Sequence, residues 1–434
     1  VTPARTATSA PARVARLLAA QGRPVGPALV NAFASGISAA TTLAVAWGLG
    51  AAAFGRFTVV LSIGLIVVVP MVMGLHFVMY QELPRAEPAD RPALVTTALL
   101  STLVLGIVLC VAGLTAAPVL TAVFGVDVPT LCFGLALALS LTAAYLTESF
   151  LRGLGRYALT AGLKLVVAVA YLGTSAYCLL VPGIGDAYLY LTCLIASNVL
   201  FAVAATAGFR VVPRLWSAAL ARTLYRHGAY LTALTALTTV LFGVDVIFLN
   251  HWAAQADVGV YSIYNNFPKR LLGVLFTDGV GLVLLPTLAT MHKPTALRRI
   301  GRLSPAVFAV TALVSFAASA VFFLLLRADY PYSPGLMALS AVGIGVHTVF
   351  NLYSLALLMD GVRGARALIV AQVAGAPLVL GCQAALIAWQ GLAGGLWAFA
   401  LSNLVLVALI VAVCRLTYSR AETVDACPAP ETSP

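Results

Sequence analysis

The chain is 434 residues long, 62% hydrophobic and only 9% charged, with a formal net charge of +11 and a mean hydropathy of +1.02. A soluble domain of this length needs far more polar surface, so the composition excludes one and describes a polytopic membrane protein. The basic excess is not in itself a nucleic-acid signal, because its meaning depends on where the Lys and Arg residues fall.

Residues 1–27 are Arg-rich and acid-free. They superficially resemble a transit peptide, but no small-residue cleavage site follows and many spans do, so they read as a cytoplasmic tail. Segments of about 20 apolar residues, each enough to cross a hydrocarbon core of about 30 Å, then recur about twelve times. They are expected near 28–48, 57–80, 93–117, 130–150, 160–181 and 187–209, and again near 228–250, 262–286, 304–326, 336–358, 367–389 and 392–414. Two lobes of six spans, 28–209 and 228–414, follow from that spacing. Between them, 210–227 sets Leu215, Trp216, Leu220 and Leu224 among Arg214, Arg222 and Arg226, a pattern that suits an amphipathic helix in the cytoplasmic interface. The tail 415–434 ends without an apolar period and is expected to be disordered.

Alternating these spans from a cytoplasmic amino terminus puts every basic residue on the inner side except Arg56 and Arg327 outside and Lys269 and Arg270 within a span. That asymmetry orients the chain with both termini inside and accounts for the positive charge as topological. The outer loops are short, and their acids Asp127, Asp186, Asp257 and Asp329 are scattered. None of the loops has room for an extracellular domain. The seven cysteines form no CxxC pair, and all but Cys427 sit in or beside apolar segments, as small core hydrophobes do.

Charge inside the spans marks the candidate site. Glu148 and Arg152 form an i,i+4 pair at the inner end of span four, a structural salt bridge with gating as the alternative role. Asp245 lies late in span seven. Span eight, 262–286, carries Lys269, Arg270 and Asp278, and each central charge costs roughly 2.5 to 3.5 kcal/mol on insertion scales. Its charged face is therefore expected to look into a cavity, the competing reading being a Lys269 that snorkels to the interface. Pro268 lacks an N–H and is expected to free the carbonyl of Tyr264 where Asn265, Asn266, Lys269 and Arg270 cluster. A broken, cationic helix of this kind suits an anion. Asp245 and Asp278 are candidates for a coupling-ion site, because an intramembrane carboxylate can bind H+ or Na+ and change preference between two states. His347 and Asn351, one turn apart, are the best-placed pair among the other polar residues at membrane depth. Asn31, His76, Asn198, Gln372, Gln383 and Asn403 are expected mainly to bridge helices.

No GxxxxGK[ST] motif, metal-ligand spacing or serine nucleophile elbow is present, so the sequence calls for no nucleotide, cofactor or metal and no hydrolytic chemistry. A shift of 204 residues lays Leu49-Gly50-Ala51-Ala52-Ala53-Phe54-Gly55-Arg56-Phe57 over Ala253-Ala254-Gln255-Ala256-Asp257-Val258-Gly259-Val260-Tyr261. Small residues, an apolar residue, Gly, any residue and an aromatic recur at the head of the second span of each half.

With those residues, Ser62, Gly64 and Gly74, the stretch Glu148-Ser149-Phe150-Leu151-Arg152-Gly153-Leu154-Gly155-Arg156, Asp245 and Leu285-Pro286, the chain resembles the polysaccharide (Wzx-like) flippases of the multidrug/oligosaccharidyl-lipid/polysaccharide (MOP) exporter superfamily. The resemblance runs through nearly the whole chain in order and span count. It implies an all-α membrane protein with two six-helix lobes, related as parallel repeats, around a central cavity. It also implies alternating access that carries a polyprenyl-diphosphate-linked glycan across a bacterial cytoplasmic membrane, alongside a polysaccharide assembly machinery. Lys269 and Arg270 then suit the diphosphate, with the charged equipment in the second lobe. A multidrug exporter of the same superfamily would set a cationic substrate beside Lys269 and Arg270. A peptidoglycan-precursor flippase leads one to expect more basic residues in the first-lobe spans. From another class, a membrane-embedded glycan polymerase or glycosyltransferase needs a sizeable outer loop that is missing here.

Overall fold

The computed structural model describes residues 25–181, 186–274, 293–326 and 330–424, and within them every regular element is helical. Asp278, Leu285 and Pro286 lie outside the described residues, as do most of both tails. Nine of the described helices are long and apolar enough to cross a membrane, and the first and last of these are double-length. Helix α1 (Val25–Val72) reverses at Gly50, whose φ of 72° places it in the left-handed region that a side chain resists. Helix α13 (Val362–Val424) does the same at Gly391, with φ 55°. Single glycines thus replace the loops expected at 49–56 and 390–391. We call the end of the bundle that carries these turns distal, and the opposite end, where α1 begins at Val25, proximal.

In the first half, α1 is followed by α2 (Leu75–Arg85), α3 (Arg91–Thr115), the short α4 (Ala117–Phe124), α5 (Val128–Gly153), α6 (Tyr157–Leu180) and α7 (Ala187–Ala205). Helix α1 packs along α5 and α6, while α7 closes on α5 and α6. The second half comprises α8 (Ala218–Trp252), α9 (Gln255–Tyr261), α10 (Phe267–Val274), α11 (Lys293–Leu325) and α12 (Pro334–Leu358), with α13 packed on α8 and α12. One apolar core joins the two halves distally, where Phe57, Val246, Leu249, Tyr261 and Leu396 are buried together. Another fills the second half around Phe350, Phe399 and Leu406.

Three expectations change. The span at 57–80 is interrupted at Met73 and Gly74, with φ of 45° and 66°, past Pro70 and short of its expected end. The reason is long-range: Gly74 packs on α8, where a Cβ would stand 2.7 Å from the Gly228 carbonyl oxygen, and a Cβ on Gly228 would collide with the Met73 carbonyl. The linker 210–227 does not form a separate interfacial helix. Pro213–Leu215 is a 3-10 turn, Ser217 caps α8, and residues 218–227 are simply the first turns of that 35-residue helix. Donors of the turn are strapped to α3, Val212 N to Thr96 Oγ1 at 2.9 Å and Trp216 Nε1 to Ser101 Oγ at 3.0 Å. Finally, α13 continues to Val424, so residues 415–424 extend a helix where disorder was expected.

Two of the acids expected in the outer loops prove to be helix caps. Asp127 accepts from Thr130 N at the start of α5, and Asp186 accepts from Tyr188 N at the start of α7, both at 3.1 Å. That use follows from the unpaired N–H groups of a helix start. At the distal end the repeat is visible in the backbone. A Cβ on Gly55 would collide with the Gln255 carbonyl and stand 3.1 Å from Gly259 N. A Cβ on Gly259 would collide with the Ala51 carbonyl and stand 3.1 Å from Gly55 N. These reciprocal contacts join positions related by the 204-residue shift, so α1 and α9 cross about a local two-fold axis.

Candidate functional site

Below that crossing, the chain between α9 and α10 makes a π-helical turn, Ser262–Asn266, directly before Pro268. Proline cannot donate to the turn before it, and the Tyr264 carbonyl finds its donor in Ser340 Oγ of α12 instead. The Tyr264 hydroxyl is also fixed, donating to Pro331 O at 2.7 Å while accepting from Ser333 N at 2.8 Å. Pro268 therefore ends a widened turn that is held from both sides, and α10 starts with Lys269 rotated inward.

Lys269 lines a cavity of about 430 Å³ between the two halves. Its Nζ donates to the Phe242 carbonyl at 3.3 Å and sits 5.0 Å from the centre of the Phe399 ring. His347, Asn351, Asn266 and Asp245 line the same cavity from the second half, and Gly74, His76 and Tyr145 line it from the first. The structure thus gathers Lys269, Asn266, His347, Asn351 and Asp245 on one space. The side chain of Arg270 and the whole of Asp278 lie outside the described residues.

The polar groups around the cavity are held in register. Asn403 donates Nδ2 to the Phe399 carbonyl at 2.8 Å, which turns its Oδ1 toward His347 Nδ1, also at 2.8 Å. An amide oxygen only accepts, so Nδ1 carries the hydrogen. His347 stacks within 4.9 Å of Phe242 and 6.1 Å of Phe350. Asp245 is 1% exposed. Tyr261 donates its hydroxyl to Asp245 Oδ2, Val246 N donates to Oδ1 at 2.8 Å, and Asn265 Nδ2 donates to the Tyr261 hydroxyl at 2.7 Å. Asn265 does not line the cavity but closes this chain, and its own Oδ1 is buried with no partner among the described residues.

Two residues take places that the sequence reading does not give them. His76 is carried into the cavity by the break at Met73 and Gly74, and its Nδ1 is buried with no hydrogen-bond partner among the described residues. Nothing local in the sequence announces that break. Lys164 meets Glu148 Oε1 at 2.6 Å, while Arg152 meets the same oxygen at 2.5 Å. The expected i,i+4 pair is therefore one arm of a three-residue cluster. Its third member was discoverable, because Lys164 falls inside the span expected at 160–181 and so is a charge at membrane depth. Glu148 and Lys164 line a second cavity, of about 590 Å³, enclosed mainly by α1, α5, α6 and α7.

Two helical halves with a cavity between them are a fold that this chain shares with solved transporters of the MOP superfamily. Among solved structures, an inward-facing multidrug resistance MATE transporter of that superfamily superposes with a TM-score of 0.62 at 14% identity, over 92% of this chain and 96% of its own. The lipid II flippase MurJ in an inward closed conformation gives 0.66 at 9% identity, over 90% of this chain and 88% of its own. A MOP superfamily transporter from Pyrococcus furiosus, described as having a binding pocket of reversed polarity, gives 0.54 at 14% identity, over 96% and 99%. At such identities the likeness is one of fold. No protein-family model matches the sequence, and no curated protein does.

Proposed function

We propose that this chain moves a polyprenyl-diphosphate-linked glycan from the inner to the outer leaflet of a bacterial cytoplasmic membrane by alternating access, with both termini cytoplasmic. The observation that carries the reading is Lys269, turned inward on a cavity whose walls come from both halves. A multiply charged diphosphate cannot enter hydrocarbon without cations and donors that are desolvated with it. Lys269, Asn351 and Asn266 supply them from the second half, beside His347, and His76 from the first, so a bound head group touches both lobes. Arg270 adds a second cation from the same turn of sequence. Asp245, with Asn265 in the same hydrogen-bonded chain and its Oδ1 unpartnered among the described residues, offers oxygen atoms to H+ or Na+, and Asp278 is the other intramembrane carboxylate that the sequence offers for coupling.

The test is the pool of lipid-linked glycan on the inner leaflet of cells whose only copy is wild type, deleted, or Lys269→Ala with Arg270→Ala. Deletion is expected to enlarge that pool, and the double variant, expressed at the wild-type level, to enlarge it to the same extent. An unchanged pool in the deletion strain, together with heightened sensitivity to amphipathic cations, replaces the flippase by a cation exporter of the same fold.

A further inference from the structure

The larger cavity, walled mainly by the first half and closed by Ser262, Asn266 and Phe267 of the second, belongs to no role assigned so far. We propose that it is a saccharide subsite, taking the sugar next to the diphosphate held at Lys269; the inference rests on the flippase reading. Position is the first argument. Leu65, Tyr145 and Asn266 line both cavities, so the two spaces share one thin wall. A group bonded to a diphosphate in the interlobe cavity is already at that wall.

Chemistry is the second argument. The polyprenyl chain gains nothing by leaving lipid for an apolar cavity, because lipid tails are as apolar as leucine. The hydrophilic end of the molecule is the part that needs an enclosure. The cavity's volume of about 590 Å³ lies within the roughly 300–1,000 Å³ typical of ligand pockets. Phe57, Tyr145 and Tyr171 are among the residues that line it, and aromatic rings suit the C–H faces of a pyranose ring, while Asn198, Glu148 and Lys164 supply donors and acceptors for its hydroxyl edge. Of the charged side chains, only Glu148 and Lys164 are among the residues that line it, and they pair at 2.6 Å while Arg152 meets the same Glu148 oxygen from outside the lining, so the lining itself carries no net charge. A neutral polyhydroxylated ligand fits that better than a second phosphate does.

The experiment measures binding to purified protein in lipid nanodiscs. The two probes are the polyprenyl-diphosphate-linked glycan extracted from the producing cells and the same lipid trimmed to bare polyprenyl diphosphate. Wild type is expected to bind the glycan-bearing lipid about tenfold tighter, the effect of one or two well-made hydrogen bonds. Glu148→Gln with Lys164→Met is expected to erase most of that ratio while leaving the bare lipid's affinity in place, and Asn198→Leu serves as an independent second variant. Lys269→Ala is expected to weaken both probes in parallel. Equal binding of the two probes by wild type, or a ratio that survives both cavity variants, overturns the saccharide subsite. A Lys269→Ala protein that binds both probes as wild type does overturns the head-group site, and with it the flippase reading, whatever the cavity variants do.

Discussion

Asp245 is buried against neutral donors, and among the described side chains no cation comes within 4.0 Å of it. Its carboxylate is held by the Tyr261 hydroxyl and Val246 N, and the Tyr261 hydroxyl in turn accepts from Asn265. Tyr261→Phe removes the middle of that chain, leaving one carboxylate oxygen and the Asn265 amide hydrogen without partners. A buried group orphaned in this way costs about 1–3 kcal/mol, so the variant is expected to unfold several degrees below wild type in detergent. Asp245→Asn keeps an acceptor in place and should lose less. In the double variant the two losses should fall short of additivity, since each substitution damages the same contact. Strictly additive melting shifts would show that Tyr261 and Asp245 do not interact.

Elements divide into those a bilayer dictates and those a distant neighbour dictates. A span needs about 20 apolar residues whatever surrounds it, which is why the span centres are legible in sequence. Pro268 is equally legible: a residue without an N–H disturbs the turn before it in any context, and the Tyr264 carbonyl does take an outside donor. The reversals at Gly50 and Gly391 are harder to read, since one glycine among many small residues does the work of a loop. Lys164 was hidden for another reason. Counting it as an inner-loop charge satisfied the charge asymmetry, and only the packing of α6 on α5 shows it reaching Glu148. The break at Met73 and Gly74 is the least legible, because its cause is the Gly228 backbone of the other half. Gly74→Ala adds a Cβ both to a left-handed residue, at roughly 1–2 kcal/mol, and to a 2.7 Å approach to a carbonyl. Gly228→Ala meets the same contact from the other side. Each is expected to lower the melting temperature, and the pair to cost less than the sum, because the first substitution already separates the helices. Full additivity in that pair would place the two glycines in independent environments.

At the scale of the whole molecule, the halves are fastened distally by three contacts of different kinds. Asn250 donates Nδ2 from α8 to the carbonyls of Phe124 and Gly125 in the first half, at 3.1 and 2.9 Å. Tyr330 donates its hydroxyl to the Ala46 carbonyl at 2.8 Å. Between them, Gly55 and Gly259 bring the backbones of α1 and α9 together. A protein that exposes its interlobe cavity alternately to the two sides must break these contacts and part the distal apolar core, so their strength contributes to how often the distal side opens. Asn250→Ala with Tyr330→Phe removes hydrogen bonding with a net worth of about 0.5–1.5 kcal/mol at each residue, about 1–3 kcal/mol together, enough to shift an opening equilibrium roughly fivefold to 150-fold. The reporter is Leu65→Cys, at a position that lines both cavities, with the seven native cysteines replaced. In sealed vesicles, the rate at which an impermeant thiol reagent on the distal side labels that cysteine should rise by a similar factor in the double variant. Gly55→Ala and Gly259→Ala should each raise it as well, and by comparable amounts, because the two positions are equivalent about the local two-fold axis. A labelling rate that stays at the wild-type value in all three would mean that the distal contacts do not control access to the cavity, and that opening is limited by the proximal contact of Gly74 with Gly228 instead.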